Sequence, residues 1–180
     1  MRITLLSGTN RPGSNTRRVT TRLEGIYREL GQPAGVIDLA DLPPEIFSPA
    51  SYAKKPAAFA PFADAILAAD GLHVVTPEYN GGVPGVLKYF IDMLKFPQSF
   101  ERRPVAFTGL GGRWGALRPV EQLQGIFGYR NAYLYPVRVF LNDIDDHISA
   151  DGLITNTAYV ERLHAQAAGF VEFVRKLRGS

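Results

Sequence analysis

Residues 9–16 combine side chains that bind anions. The segment holds hydroxyls and amides together with one guanidinium, Arg11, and it directly precedes a run of apolar residues at helical spacing. The first N–H groups of a helix have no partner within the helix, and the helix dipole places positive charge at this end. A phosphomonoester therefore fits the segment. The alternative is an ordinary capped helix, in which Ser14 or Asn15 is the cap and Pro12-Gly13 forms a turn.

Two common nucleotide-binding motifs are missing from this segment. No Gly-Lys-Ser/Thr follows the glycines, which excludes the P-loop, and Gly8 and Gly13 alone do not make the dinucleotide fingerprint. Asp38 lies at the end of the second predicted strand, where a dinucleotide-binding domain places an acid against the ribose. Asp38 alone therefore keeps a Rossmann-type dinucleotide site as an alternative.

Two further loops are rich in glycine. Residues 76–85 contain Tyr79 and Asn80 among two prolines and three glycines. Glycines let backbone amides approach a flat ligand, a tyrosine ring can pack against it, and an asparagine amide can pair with its polar edge. This loop fits a planar heterocycle, although a turn in which Pro84 opens the next helix has the same composition. Residues 109–115 add further glycine amides.

The remaining residues with chemical potential favour structural explanations. The chain has no cysteine, which excludes disulfides, thiolate nucleophiles and cysteine-ligated metal centres. His73 lies in an apolar strand and is interpreted as a core or rim residue, and His164 as a partly exposed residue of the last helix. His147 follows three aspartates and is the best metal candidate, but the spacing does not match a calcium loop and favours a solvated turn. No Gly-x-Ser-x-Gly elbow supports a hydrolase.

Short apolar runs alternate with helical patterns along the chain. The predicted strands are residues 3–6, 36–39, 72–75, 105–107 and 133–141, and the proline-rich residues 41–56 are predicted to form an extended surface loop. This alternation predicts an α/β fold in which an open, mostly parallel, five-stranded sheet lies between helices on both faces. Ligands of such sheets bind beyond the carboxyl ends of the strands, where the three unusual loops are expected.

Length and composition indicate one soluble domain. The 180 residues, 46% hydrophobic and 21% charged, suit a single compact domain over residues 1–180. A net charge of +3 and a pI of about 9.3 come from basic residues spread along the chain, without the block that nucleic acid requires. The amino terminus lacks a signal-peptide core, and about 18 consecutive apolar residues occur nowhere. We therefore expect a cytoplasmic protein without a membrane or nucleic-acid partner.

Two of the loops resemble those of a known family. Residues 8–15, Gly-Thr-Asn-Arg-Pro-Gly-Ser-Asn, resemble the phosphate loop of the NADPH-dependent FMN reductase family. Residues 76–88, Thr-Pro-Glu-Tyr-Asn-Gly-Gly-Val-Pro-Gly-Val-Leu-Lys, followed by Ile91-Asp92, resemble its most specific signature. The order of elements and the Asp151-Gly152 turn extend the similarity over nearly the whole chain.

The resemblance implies a flavodoxin-like fold that binds FMN non-covalently. Electrons would pass from NADPH or NADH through the flavin to a small-molecule acceptor, so no residue is assigned as a catalytic acid, base or nucleophile and no metal site is expected. The first loop would hold the FMN phosphate, and the two glycine-rich loops would line the isoalloxazine. The cofactor-binding residues implied in this way are Thr9, Asn10, Arg11, Ser14, Asn15, Thr16, Pro77, Glu78, Tyr79, Asn80, Gly81, Thr108, Gly109, Gly111 and Gly112.

Departures from the family pattern affect assembly more than the flavin site. Thr9 replaces the commoner serine, whereas Tyr89-Phe90 and Met93-Leu94 depart from the pattern on the helix that such proteins use for dimer packing. The sequence predicts a homodimer or homotetramer that assembles through this helix. The predicted contact face consists of Val86, Leu87, Phe90, Ile91 and Leu94, with Tyr89 and Met93 nearby.

The expected activity is that of an NAD(P)H-dependent flavin enzyme that reduces flavins, quinones, azo compounds or metal oxyanions. Two alternatives stay open, a flavodoxin-type electron carrier and a flavin-binding sensor module. Such carriers are usually strongly acidic, and a chain with a net charge of +3 disagrees with that pattern.

Overall fold

Within residues 1–179, which the computed structural model describes, six strands form one parallel sheet. The strands are β1 (Ile3–Ser7), β2 (Ala34–Asp38), β3 (Gly71–Pro77), β4 (Pro104–Leu110), β5 (Tyr133–Leu134) and β6 (Val139–Leu141). Their order is β2-β1-β3-β4-β5, and β6 also pairs with β4, so β5 and β6 share the fifth position of the sheet. The predicted open parallel sheet is confirmed.

Five α-helices cover both faces of the sheet in the described part of the chain. Two helices, α1 (Asn15–Glu29) and α5 (Thr157–Arg178), pack on one face. The other face carries α2 (Ala60–Leu67), α3 (Gly85–Met93) and α4 (Leu117–Tyr129). Because helices cover both faces, all seven residues of β3 and all seven of β4 are buried. Across residues 1–179, the chain forms no helix with the length and apolar character needed to cross a membrane.

The predicted fifth strand, residues 133–141, is interrupted between β5 and β6. Pro136 lies in the interruption and lacks the N–H group that a strand ladder needs. A side chain of α5 fills the gap: Gln166 Nε2 donates to Phe107 O at 2.8 Å and to Val137 O at 3.0 Å. A buried amide therefore replaces backbone pairing, and strand periodicity could not show this.

Residues 41–56 are not the extended loop that the sequence predicted. Pro44–Phe47 and Pro49–Tyr52 are 3₁₀ helices, since proline suits the first position of a helix as well as a loop. Ile46 is buried in the core, and its carbonyl oxygen accepts a hydrogen bond from Tyr89 Oη at 2.7 Å. The segment is therefore anchored on α3 through Ile46, while most of its other residues are exposed on the surface.

The apolar stripe of α3 faces the protein's own core. Leu87, Phe90 and Ile91, which belong to the predicted dimer face, are at most 5% exposed and pack in the core between α2, α4 and the sheet. This part of the predicted contact face is wrong, because a helix layered on a sheet buries its stripe against that sheet. The outward side of α3 carries instead the ion pair of Lys88 with Asp92, at 2.7 Å.

A chain of buried polar groups runs through the core at His73. Tyr27 Oη lies 2.8 Å from His73 Nδ1, and His73 Nε2 lies 2.8 Å from Thr108 Oγ1. Gln166 Nε2 donates to a backbone carbonyl oxygen, which fixes the orientation of the side-chain amide. The amide oxygen Oε1 can only accept, so Thr108 Oγ1 donates to it at 2.7 Å. Thr108 therefore accepts from His73 Nε2–H, and Tyr27 donates to Nδ1. His73 is a neutral core histidine, and burial lowers its pKa to about 3.

We expect the free energy of unfolding to fall between pH 7 and pH 5 because of His73. The unfolded chain takes up a proton near the ordinary histidine pKa of 6.5, whereas the folded chain, with a pKa of about 3, does not. The stability that neutral His73 contributes is fully present above its unfolded pKa of 6.5. It is lost as the pH falls toward the folded pKa of about 3. Between pH 7 and pH 5 the loss amounts to about 2 kcal/mol, which urea unfolding followed by circular dichroism measures.

Two variants separate His73 from the other titrating groups. His73→Gln keeps a donor for Thr108 but cannot titrate in this range, so its stability should depend less on pH. His164→Gln removes a histidine from the exposed surface of α5 and should leave the dependence as it is in the wild type. An equal pH dependence in the wild type and in His73→Gln would contradict the assignment.

Candidate active site

The β1–α1 loop presents the amino terminus of α1 at the carboxyl edge of the sheet. Gly8 donates to a β3 carbonyl oxygen at 2.8 Å, and a Cβ at Gly8 would lie 2.7 Å from that oxygen. Ser14 is the N-cap of α1, since its Oγ accepts from Arg17 N–H at 3.2 Å. This cap is compatible with an anion site, because the N–H groups of Asn15 and Thr16 still have no partner within the helix.

The β3–α3 loop contains a tight turn. Tyr79 and Gly82 exchange two N–H···O bonds of 3.1 Å, and Asn80 and Gly81 between them have φ values of 52° and 77°. Positive φ at both central positions defines a type I′ turn, for which Asn-Gly is a favoured pair. The Tyr79 hydroxyl forms a hydrogen bond of 2.7 Å with Thr9 Oγ1. The loops assigned to the phosphate and to the ring are therefore joined directly.

The β4–α4 loop is held by the chain that follows β6. Gly111 N–H donates to Leu141 O at 3.2 Å, and Ile144 N–H donates to Gly111 O at 3.1 Å. Glycine is required at position 109, where a Cβ would lie 2.5 Å from Gly115 O. The N–H of Gly111 is therefore used within the protein and is not free for a ligand.

The three loops enclose a cleft of about 430 Å³ at the carboxyl ends of β1, β3 and β4. Open parallel sheets bind ligands at this edge, and the volume lies in the range of small-molecule sites. The structure brings together most of the residues that the sequence assigned to a cofactor. Those that line the cleft are Arg11, Ser14, Asn15, Thr16, Pro77, Glu78, Tyr79, Gly111 and Gly112.

The other residues assigned to a cofactor lie outside the cleft lining. Thr9 is buried and bonds to the Tyr79 hydroxyl, and Thr108 is buried in the polar chain around His73. These two residues support the walls of the cleft from behind, so a cofactor-binding role for them stays a prediction. The same applies to Asn10, Asn80, Gly81 and Gly109.

One wall of the cleft, at Asp145, was not predicted from the sequence. Asp145, in the 3₁₀ helix Ile144–His147 after β6, lines the cleft and accepts from Asn15 Nδ2 at 2.6 Å. The sequence favoured a solvated turn for this acidic segment, with His147 as the best metal candidate. The ring of His147 packs edge-on against Tyr159 at a centroid distance of 5.1 Å. Within residues 1–179, no group of three or more histidine, cysteine or acidic side chains could hold a metal ion.

The shape and donors of the cleft fit FMN. Arg11 and the start of α1 make one end attractive to a phosphate. Between the walls, a Cβ at Gly111 would lie 3.9 Å from Glu78 Cβ, an ordinary van der Waals distance, so the two loops approach each other closely here. Glycine at position 111 keeps this side of the cleft free of a side chain. FMN joins a phosphate to a planar ring system and so matches the anionic end and the remaining volume of the cleft.

Known proteins share this architecture. The model of a family described as NADPH-dependent FMN reductase matches residues 1–145. An NAD(P)H-dependent FMN reductase of Pseudomonas aeruginosa is 29% identical over 179 residues, which cover 97% of this chain and 95% of that protein. A quinone reductase of Escherichia coli is 28% identical over 186 residues, covering 99% and 97%. The NAD(P)H:(acceptor) oxidoreductase FerB of Paracoccus denitrificans has a TM-score of 0.78 at 22% identity, covering 97% of each chain.

The fold and the cleft together define a flavodoxin-like α/β protein whose cleft lies at the start of its first helix. Within this class, the family match covers most of the chain, and the chain belongs to the NADPH-dependent FMN reductase family. The resemblance seen in residues 8–15 and 76–88 is confirmed. The activity of this class is FMN-dependent oxidoreduction with NAD(P)H as the electron donor.

Proposed function

We propose that the protein binds FMN in the cleft at the ends of β1, β3 and β4 and uses NADPH or NADH to reduce a quinone or a free flavin. The observation that carries this proposal is the convergence of Arg11, the start of α1 and the glycine-rich β4–α4 loop on one cleft. Relatives named FMN reductase and quinone reductase support the acceptor class.

The chain's own residues bind and orient the cofactor. Arg11 and the N–H groups of Asn15 and Thr16 hold the phosphate through charge-assisted hydrogen bonds. Tyr79, fixed by its bond to Thr9, forms one wall for the ring. When bound, FMN supplies the two-electron chemistry that links the nicotinamide to the acceptor. No side chain is assigned a proton transfer in this scheme.

We also propose a cytoplasmic location. The chain contains no cysteine, so no disulfide requires an oxidising compartment. A reductase that consumes NAD(P)H also needs continuous access to that donor. Both points support the cytoplasm as the site of action.

A second proposal concerns assembly through the surface between α3 and α4. This surface contains a cleft of about 660 Å³, in which Tyr129 is 79% exposed. Lys88, Asp92 and Arg130 give the surface charges of both signs, and such a surface can pair with its own copy about a two-fold axis. We infer that a second copy of this chain covers it and that the protein is a homodimer, alone or within a homotetramer.

The activity is tested by visible spectroscopy. The purified protein, or the protein reconstituted with FMN, is expected to be yellow, to bleach on anaerobic addition of NADPH or NADH, and to regain colour when a quinone is added. A yellow protein that responds to neither donor would favour the carrier or the sensor module. A colourless protein that takes up no FMN would refute the proposed function.

Arg11→Ala is expected to weaken FMN binding about tenfold, because it removes one charge-assisted hydrogen bond at an exposed site. Quenching of flavin fluorescence measures the dissociation constant. Arg28→Ala is the matched control, since it removes an arginine from the opposite end of α1. Equal affinities of Arg11→Ala and the wild type would rule out Arg11 as a phosphate ligand.

Assembly is tested by light scattering at micromolar concentrations. Tyr129→Asp is expected to give a monomer, because it removes the exposed ring from the interface and adds a charge that assembly would have to desolvate. Leu153→Asp places the same charge at a residue that is 61% exposed, in a loop beside α1, and should leave the oligomer intact. A monomeric wild type would exclude the interface.

A further inference from the structure

Two side chains of α4 hold the β3–α3 loop from outside the cleft. Arg118 Nη1 donates to Glu78 Oε1 at 3.0 Å, and Gln122 Oε1 accepts from Val83 N–H at 3.0 Å. Arg118 and Gln122 are four residues apart and therefore lie on the same face of α4. Their contacts flank the turn between Tyr79 and Gly82 on both sides.

The same two side chains support the turn itself. A Cβ at Gly81 would lie 4.0 Å from Arg118 Cδ, and a Cβ at Gly82 would lie 3.3 Å from Gln122 Oε1. The helix that carries them begins just after Gly115, which packs closely on β4 at Gly109. Since the β4–α4 loop leads directly into this helix, α4 connects the two glycine-rich loops of the cleft.

Arg118 and Gln122 differ in what they do to the charge of the cleft. Glu78 and Asp145 contribute carboxylates to the lining, and Arg11 contributes a guanidinium. Arg118 pairs with Glu78 from outside the lining and so offsets one of these carboxylates. The Glu78 side chain is 17% exposed and that of Arg118 is 54% exposed, so loss of the pair would leave the more buried charge without its partner.

We propose that Arg118 is a positioning residue that holds the Glu78 carboxylate and thereby raises the reduction potential of bound FMN. This inference rests on the proposed function. Hydride transfer moves two electrons and one proton from NAD(P)H to the flavin, leaves NAD(P)⁺, and gives the flavin one additional negative charge. An unpaired carboxylate in the wall of the cleft opposes that charge, and a paired carboxylate opposes it less.

The test is the two-electron reduction potential of the FMN-loaded protein, measured against a reference dye under anaerobic conditions. Arg118→Gln is expected to weaken binding of reduced FMN relative to oxidised FMN about tenfold, which lowers the potential by about 30 mV. Glu78→Gln should raise the potential. The double variant Arg118→Gln/Glu78→Gln should return close to the wild type, and Arg118→Lys should restore most of the loss.

Gln122→Ala is the uncharged control. It removes the bond to Val83 N–H and should weaken binding of both redox forms by the same factor, leaving the potential unchanged. If Arg118→Gln also leaves the potential unchanged, Arg118 only supports the loop and the proposal is overturned. A wild-type protein that binds no FMN would instead overturn the proposed function, so the two failures are distinguishable.

Discussion

The parallel pairing of β3 with β1 on one side and with β4 on the other is the constraint on which the rest of the structure depends. The register places Val75 of β3 beside Ser7 of β1 and beside Thr108 of β4, so the three strands end near one another. Loops that are far apart in the chain therefore leave the sheet at one edge. Thr9 and Tyr79, separated by 70 residues, meet there through their hydroxyl groups.

A polar group that is buried in a sheet covered on both faces costs free energy unless it has a hydrogen-bond partner. The buried groups around His73 meet this condition, because donors and acceptors follow in one order from Tyr27 to Gln166. Gln166 also bonds to Phe107 O and Val137 O, so the same residue replaces the missing backbone pairing of the fifth strand. The network thereby stabilises β4, which leads into the loop at Gly111.

Features encoded locally could be predicted from the sequence, and features that depend on distant contacts could not. Periodicity predicted the parallel sheet and the helix layers, and the resemblance of the loops to a known family implied most of the cleft lining. The role of Asp145 depends on Asn15, which lies 130 residues away, and no local pattern records that pairing. The sequence shows that Pro136 interrupts a strand, but it does not show that the Gln166 side chain replaces the lost backbone hydrogen bonds. The stripe of α3 was recognised correctly as apolar, but periodicity does not tell which surface will cover it.

Glycine-rich walls limit how such a cleft can be tuned. Glycine at positions 109 and 111 carries no side chain, and a Cβ at position 109 would lie 2.5 Å from Gly115 O. The charges of the lining come from Arg11, Glu78 and Asp145, and Arg118 acts on one of them from behind the wall, 40 residues from its partner Glu78 in the chain. Because Arg118 lies behind the wall, it does not obstruct the open side of the cleft. A bound flavin needs that open side, since the nicotinamide and the acceptor must reach it in turn.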